Sequence, residues 1–364
     1  MVQPICYAAI LDAGSSGTRL YMFKWRQWVE GTSVPQIEEV YNKKRDPGIS
    51  TLAADNNDAL QKKVDDHLGP LFDCAVAFCT AAGVNSNSVP LFLLATAGMR
   101  DLQTENNERY LQLCLCIERC TNASKFDVKQ HGTITGEAEA LYGWVAANYS
   151  WGSFSGYGQR SSQTAGYVEM GGASAQTALP LYAGQPVQGG LDAHQGRLVK
   201  VKIGPSEFDM FLASSQLGLN KAKKQYEDIL VARGRRGHRG VILDPSKNYG
   251  WGLTPGTSFL DIPENNSPHS QKIEDIPARG TLDLDELKAF LEAIPAQPPQ
   301  PPARLPDHLQ ATLQNRTFLG GSNFWYNTRE VERWSYGSTQ TDPFHFPRIP
   351  GRSALSKHTR LVYL

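Results

Sequence analysis

Apolar residues along this chain gather into short runs that end in small or acidic residues, and this punctuation predicts the first elements. Ile5 to Asp12 is an apolar run of strand length ending in an acid. Gly14-Ser15-Ser16-Gly17 follows as a tight turn, and Arg19 to Trp25 is a second, aromatic-rich strand. The pattern is that of a hairpin, not of a strand feeding a helix. Leu91 to Leu94 predicts another strand, running into Ala95-Thr96-Ala97-Gly98-Met99-Arg100. From Gly136 a helix is expected, because Ala138, Leu141, Tyr142, Val145, Ala146 and Tyr149 recur at helical spacing with Thr135 as cap. Glu139 falls in its first turn, and Trp144 and Tyr142 read as core. Gly166 to Glu169 is a third strand ending in an acid, followed by Gly171-Gly172-Ala173-Ser174 and an apolar continuation through Leu181. Residues 204 to 295 read as weakly periodic helix. The basic, glycine-rich stretch Ala232 to Gly240 reads as a solvated loop, and Pro295 to Pro306 as an extended surface segment.

One of these patterns occurs twice. Asp12-Ala13-Gly14-Ser15-Ser16 aligns with Glu169-Met170-Gly171-Gly172-Ala173, acid with acid and glycine with glycine, at a constant separation of 157 residues. Both copies follow an apolar strand and precede another. This repetition predicts a duplicated α/β domain with a cleft between its halves. A turn of Gly and Ser directs several backbone N–H groups into one concavity, which suits a phosphate. An acid at the mouth of each turn would repel that phosphate unless it held a hydrated Mg2+ or Ca2+ bridging the phosphate oxygens.

Composition narrows the partners. Lys+Arg and Asp+Glu balance at 36 each in 364 residues, so net charge argues for neither nucleic acid nor an anionic membrane as partner. No apolar run approaches the roughly 20 residues of a membrane-spanning helix. Met1-Val2-Gln3-Pro4 carries no charged leader, so any export signal is expected to have been removed or never to have existed. The six cysteines fall as Cys6 alone, Cys74 with Cys79, and Cys114, Cys116 and Cys120 together, without zinc-ligand spacing. Two readings stay open: a disulfide between the second and third groups in an oxidising compartment, or buried free thiols. Sequons stand at Asn122, Asn148, Asn265 and Asn315. The P-loop, the dinucleotide fingerprint and the nucleophile elbow are all missing from the sequence.

Five short blocks, DAGSSGTR (12–19), ATAGMR (95–100), ITGEAEALYGW (134–144), VEMGGASAQ (168–176) and GSNFWY (321–326), resemble those of the nucleoside triphosphate diphosphohydrolases, or apyrases, of the actin, sugar-kinase and heat-shock ATPase superfamily. The resemblance implies an α/β fold of two ribonuclease-H-like (actin-like ATPase) domains with a nucleotide cleft between them. They would be 1–130 plus about 330–364, and 131–329. It implies an enzyme that hydrolyses terminal phosphates of nucleoside tri- and diphosphates by direct water attack. Glu139, five positions before the third block's tryptophan, would be the general base. Ala173 and Ser174 would hold the water, with Gln176 close by. Gly14, Ser15, Ser16, Gly17 and Thr18 would bind one phosphate and Gly171 and Gly172 another, with Thr96 near the terminal phosphate and Arg19 lining the site. Asp12 and Glu169 would hold the water shell of Mg2+ or Ca2+, and Trp325 and Tyr326 would stack the base. Arg100 reads as a buttress of the fold.

Two positions depart from the family pattern. Glu169 stands where aspartate is usual, and Ala138 and Ala140 flank Glu139 where the family has paired acids and a glycine. The family habit and the cysteine groups predict a secreted or extracytoplasmic protein, here expected to be monomeric. The alternatives are an exopolyphosphatase or guanosine pentaphosphate phosphatase, or an actin-like module that binds nucleotide without hydrolysing it.

Overall fold

The computed structural model describes residues 3–27, 34–54, 59–154, 164–181, 196–204, 206–233, 242–244, 278–280, 284–292, 316–322 and 362–363. The chain divides into two compact units, 1–216 with 304–364, and 217–303. The first holds two sheets. Its five-stranded sheet is built from β1 (Ile5–Ala13), β2 (Thr18–Arg26), β3 (Glu38–Arg45), β4 (Pro90–Ala95) and β5 (Asp127–Thr133), in the order β3-β2-β1-β4-β5. The β1–β2–β3 part is antiparallel, and β4 and β5 run parallel to β1. The expected hairpin is present.

The alternation of β1 explains its placement. Ala9, Leu11 and Ala13 are buried and lie opposite Met22, Leu20 and Thr18 of β2, so one face of the hairpin is apolar. Helices α1 (Leu60–Ala81), α2 (Ala97–Glu105) and α3 (Asn107–Asn122) cover that face with Val64, Leu68, Leu71, Met99, Leu113 and Ile117. Asp12, between Leu11 and Ala13, must point to the other face. The fold thus sets an acid at the end of a buried strand without burying it in the core.

The second sheet combines β6 (Gly166–Met170), β7 (Ala175–Pro180), β8 (Arg197–Ile203), β9 (Ser206–Ser215), β12 (Phe318–Ser322) and β13 (Val362–Tyr363) in the order β13-β12-β6-β7-β9-β8. Residues 206–215, read from sequence as part of a helical stretch, are a strand. Phe208, Met210 and Leu212 alternate inward, and Phe211, buried between two of them, hides the two-residue period. The expected helix is α4 (Gly136–Trp151), capped by Thr135, whose hydroxyl accepts from the Ala138 N–H at 3.1 Å. It packs against β6, β7 and β9. Trp144 is 0 % exposed, meets Phe154 and Phe208 edge-on, and donates its indole N–H to Ala165 O at 2.9 Å. Tyr142, expected in the core, is instead 46 % exposed, because two helical steps turn it well away from Trp144.

The second unit contains α5 (Leu219–Arg233), α6 (Leu284–Glu292) and a parallel pair of short strands, β10 (Ile242–Asp244) and β11 (Ala278–Gly280). No helix among the described residues is long and apolar enough to cross a membrane. The segment expected to return to the first domain, 330–364, lies outside the described residues except for Val362 and Tyr363, which pair with β12 in the second sheet. The proline segment 295–306, residues 234–240 of the basic stretch, and Asn265 and Asn315 also lie outside them. Asn148 is buried, with its amide bonded to Ala165 and Trp144, so its sequon is closed to modification in the folded chain.

All six cysteines are free. Cys79, Cys116 and Cys120 are buried in the core between α1 and α3. Burial, helped by Asp65, pushes the Cys120 thiol up to about 12, so it sits there as a neutral apolar group. Of the two readings of the cysteines, the structure has free thiols.

Because Trp144 fills the second core and Tyr142 does not, their truncations should separate cleanly. Trp144→Ala should lower unfolding free energy by about 3–5 kcal/mol, and Tyr142→Ala should stay within about 0.5 kcal/mol of the unsubstituted chain. Urea unfolding followed by circular dichroism measures both.

Candidate active site

The repeated motif has a repeated geometry. In the first copy the Gly14 N–H donates to Gly17 O at 3.0 Å, closing the turn between β1 and β2. In the second the Gly171 N–H donates to Ser174 O at 2.8 Å, closing the turn between β6 and β7. Asp12 lies opposite Arg19 across the first hairpin, and Glu169 lies opposite Gln176 across the second. Each turn therefore hangs from an acid on one strand and a polar partner on the next. The Ser15 turn is also packed from behind. A Cβ on Gly48 would come within 2.2 Å of Ser15 O, and one on Gly98 within 3.2 Å of Ser15 Cα.

The two halves meet at Glu139. The Thr135 cap and the bond from the Glu139 N–H to Thr135 O (3.0 Å) fix it in the first turn of α4, where the helix dipole favours a negative side chain. Arg100 from α2 donates to Glu139 Oε2 at 2.8 Å, to Ser174 Oγ at 3.2 Å and to Ile134 O at 3.0 Å. Gln176 Nε2 donates to Ser174 Oγ at 2.6 Å and reaches Glu139 Oε2 and Ser214 Oγ at 3.3 Å each. One guanidinium thus ties the α2 side of the first sheet to the turn of the second. The ion pair is enclosed, with Arg100 15 % and Glu139 19 % exposed.

This enclosure sets the chemistry of Glu139. Burial pushes its carboxyl up to about 7, against the pull of Arg100, and the charges of Glu169 and Asp12 push the same way as burial. Glu139 Oε2 is committed to Arg100 and Gln176, while Oε1 has no donor among the described residues. The Ser174 hydroxyl accepts from both Arg100 and Gln176, which leaves its own proton available to a third group. The buried Oε1 of Gln176 has no partner among the described residues. Buried polar atoms left in this state are suited to holding a small polar guest such as water.

The two acids of the turns are held differently. Asp12, 42 % exposed, pairs with Arg19 at 3.5 Å. Desolvation raises its pKa, the Arg19 charge draws it back, and Glu169 raises it again, so Asp12 feels the charge of the second turn's acid. Glu169 accepts from the Tyr167 hydroxyl at 3.0 Å and the Ser322 hydroxyl at 2.6 Å. Burial first, and then the Glu169 charge, pushes the Tyr167 phenol well above its ordinary value, so it serves as a donor.

Of the residues assigned from sequence, Asp12, Arg19, Glu139, Glu169, Ser174 and Gln176 are joined by contacts or by mutual electrostatics. Ala173, Gly171 and Gly172 form the second turn and are half-buried. Gly14 and Ser15 are half-buried in the first turn, and Ser16 is exposed. Thr96 is half-buried at the start of α2, with its hydroxyl unused by the helix it precedes. Gly17 is buried, facing Asp46 and Arg45. Thr18 is 0 % exposed and its hydroxyl bonds His67 Nε2 at 3.0 Å, so that hydroxyl points to the interior. Burial, and then the Arg45 charge, pushes His67 down to about 4, which keeps this imidazole neutral. Trp325 and Tyr326 lie outside the described residues. Sequence reasoning gave no site role to Arg100, Ser214, Tyr167 or Ser322. Arg100 does brace the fold through Ile134 O, as expected, but it also grips Glu139.

Comparison with known proteins places the chain in a family. The chain is 28% identical over 362 residues to the nucleoside-diphosphatase mig-23 of Caenorhabditis briggsae, covering 90% of this chain and 61% of that protein. It is 32% identical over 240 residues to the Golgi apyrase of Saccharomyces cerevisiae, covering 60% of this chain and 37% of the relative. Rat ectonucleoside triphosphate diphosphohydrolase 1 matches at 33% over 257 residues, 67% of this chain and 46% of the relative. The chain thus spans between about a third and three fifths of the length of these relatives. Among solved structures, the nucleoside triphosphate hydrolases of Neospora caninum align with a TM-score of 0.50 at 21% identity, over 66% of this chain and 50% of that one. That likeness shows the fold, the actin-like α/β architecture with two sheets. Residues 2–276 match the GDA1/CD39 (nucleoside phosphatase) family, and the chain belongs to it.

Proposed function

We propose that this chain hydrolyses terminal phosphates of nucleoside tri- and diphosphates, with Glu139 as general base and a hydrated divalent cation at Asp12 and Glu169. The observation that carries the reading is the enclosed Arg100–Glu139–Ser174–Gln176 cluster, in which one carboxylate oxygen is held and the other is left open. The two sheets of the first unit are read as the lobes of the actin-like architecture, divided near residue 130. The names of the relatives, a nucleoside-diphosphatase, a Golgi apyrase and an ectonucleoside triphosphate diphosphohydrolase, support a nucleotide as substrate. The same relatives favour a lumenal or extracellular location.

The residues divide the work by chemistry. Glu139 Oε1 accepts a proton from the attacking water, while Arg100 and Gln176 fix the carboxylate through Oε2. The Ser174 hydroxyl and Gln176 Oε1 orient that water in line with the terminal phosphorus. Backbone N–H groups of the two turns and the hydroxyls of Ser15 and Thr96 receive the phosphate oxygens, and Arg19 adds a positive charge. Trp325 and Tyr326 are assigned to the base on the family resemblance alone.

The donor set also bears on a metal. The charge of Glu169 raises the proton affinity of both Asp12 and Glu139, and that of Asp12 raises Glu139's further, so a cation would be favoured there. Among the described residues, however, no three His, Cys, Asp or Glu side chains are close enough to chelate one ion directly. The set therefore fits a hydrated Mg2+ or Ca2+ held through its water shell by Asp12 and Glu169. Such an ion, when bound, neutralises charge on the transferring phosphoryl group.

Glu139→Gln should lower kcat by about 10²–10⁴ while nucleotide affinity stays within a few-fold; phosphate release and equilibrium binding of a non-hydrolysable ATP analogue measure the two. The base works as a carboxylate, so kcat should rise with pH through about 7 and level off above it. Arg100→Gln removes the charge that lowers this pKa, and should move the acidic limb upward in a kcat–pH profile. Chromatography of products should show hydrolysis of ATP or ADP with Mg2+ or Ca2+, none with EDTA, and none of inorganic polyphosphate. Turnover of polyphosphate alone would replace this reading with that of an exopolyphosphatase.

A further inference from the structure

Glu169 has one more methylene in its arm than an aspartate would, and an acid with an extra rotatable bond needs holding if it is to meet a ligand in one place. Two hydroxyls hold it. Tyr167 and Glu169 are two residues apart on β6 and share a face, with the phenol donating to Oε2 at 3.0 Å. Ser322, from the parallel neighbour β12, donates to Oε1 at 2.6 Å across a sequence separation of 153 residues. Each carboxylate oxygen thus has one protein donor and keeps capacity to accept from water.

The surroundings are shaped to this arrangement. A Cβ on Gly143 of α4 would fall 2.2 Å from the Tyr167 ring, and one on Gly321 of β12 would fall 2.7 Å from its hydroxyl oxygen. Glycines on two separate elements therefore open the slot in which the phenol lies. Ser322 adopts φ 52°, a backbone region uncommon for any residue but glycine. Glycine would fit that backbone better, yet the position carries the hydroxyl that reaches Glu169.

Resting on the reading of Glu169 as an acid that faces a hydrated cation, we propose that Tyr167 and Ser322 are positioning residues that fix its longer carboxylate for that cation. They touch neither the nucleotide nor the attacking water in this scheme and act through Glu169 alone. A residue that orients the group meeting a metal influences affinity without being a ligand.

The test uses Mn2+ as a paramagnetic probe, titrated in the presence of a non-hydrolysable ATP analogue and followed by electron paramagnetic resonance. Tyr167→Phe keeps the ring in its slot and removes the hydroxyl, and Ser322→Gly keeps the backbone and does the same. Each should weaken Mn2+ binding about tenfold, with circular dichroism unchanged. In a Glu169→Ala background, Tyr167→Phe should alter Mn2+ affinity by less than about twofold, because the hydroxyl no longer has a carboxylate to act through. Equal weakening in both backgrounds would assign Tyr167 to packing and overturn the inference. If Glu169→Ala weakens Mn2+ binding while Tyr167→Phe and Ser322→Gly do not, the inference fails and the metal reading of Glu169 stands. If Glu169→Ala itself leaves Mn2+ affinity unchanged, the metal reading fails as well.

Discussion

Burial brings a carboxylate's proton affinity up toward neutral pH, and a buried carboxylate is costly unless it is paired. Glu139 meets both conditions through one guanidinium. Burial alone would make it a permanent acid, and a full salt bridge in the open would make it too weak a base. Arg100 holds one oxygen within an enclosure that raises the pKa to about 7, so the two opposing effects leave the group near the pH at which proton transfer works best. The backbone around it serves this balance. The Thr135 cap sets where α4 begins, the Ile134 N–H bonds Ala95 O, and Arg100 bonds Ile134 O, so Glu139 and the guanidinium are anchored to the same connection.

The second constraint is the doubled hairpin. A strand buried on both sides of an acid must deliver that acid at its end, and a tight turn must follow if backbone N–H groups are to converge. Both copies do this with the same hydrogen bond across the turn, at Gly14–Gly17 and at Gly171–Ser174. The resemblance is one of frame, and the side chains differ. Gly17 and Thr18 face the protein interior in the first copy, where Thr18 is tied to His67. The equivalent end of the second copy presents Ser174 and Gln176 to Glu139. One turn is therefore packed as support from behind, and the other is wired to Glu139.

Much of this was legible in the sequence because it is local. Turns, strand ends and helix starts are written in contiguous residues, so the hairpin and the start of α4 at Gly136 could be read directly, whereas Glu139 was singled out only by the family resemblance. What could not be read depends on partners far along the chain. Arg100 stands in a recognised block, but only folding brings it to Glu139, 39 residues away, and Ser322 to Glu169, 153 away. Tyr167 looked like one more apolar strand residue, because its hydroxyl gains meaning only when Glu169 and two flanking glycines are in place. Tyr142 was misassigned for the opposite reason: its aromatic character suggested core, while helical phase turns it outward. The strand at 206–215 was missed because Phe211 fills the second face and erases the alternation that marks a half-buried strand.

The charges of the cluster explain why the two halves, alike in frame, need not be alike in chemistry. Asp12 faces a cation across its hairpin, Arg19, whereas Glu169 faces a neutral amide, Gln176. With Arg100 on Glu139, three carboxylates share two guanidiniums, and the uncompensated negative charge belongs to the second half. In the proposed site a polyphosphate between the turns would add more negative charge, which backbone N–H groups would meet on both sides but a guanidinium, Arg19, only on the first. On the second side an acid held by two hydroxyls, which donate hydrogen bonds but bring no countercharge, would repel that phosphate on its own. In the proposed site a hydrated cation held by Asp12 and Glu169 would remove the conflict, and a neutral donor such as a phenol suits that arrangement, because an arginine there would pair with the acid and compete with the metal. The asymmetry between Arg19 and Tyr167 is thus the physical reason for the proposed cation to lean on Glu169 more than on Asp12.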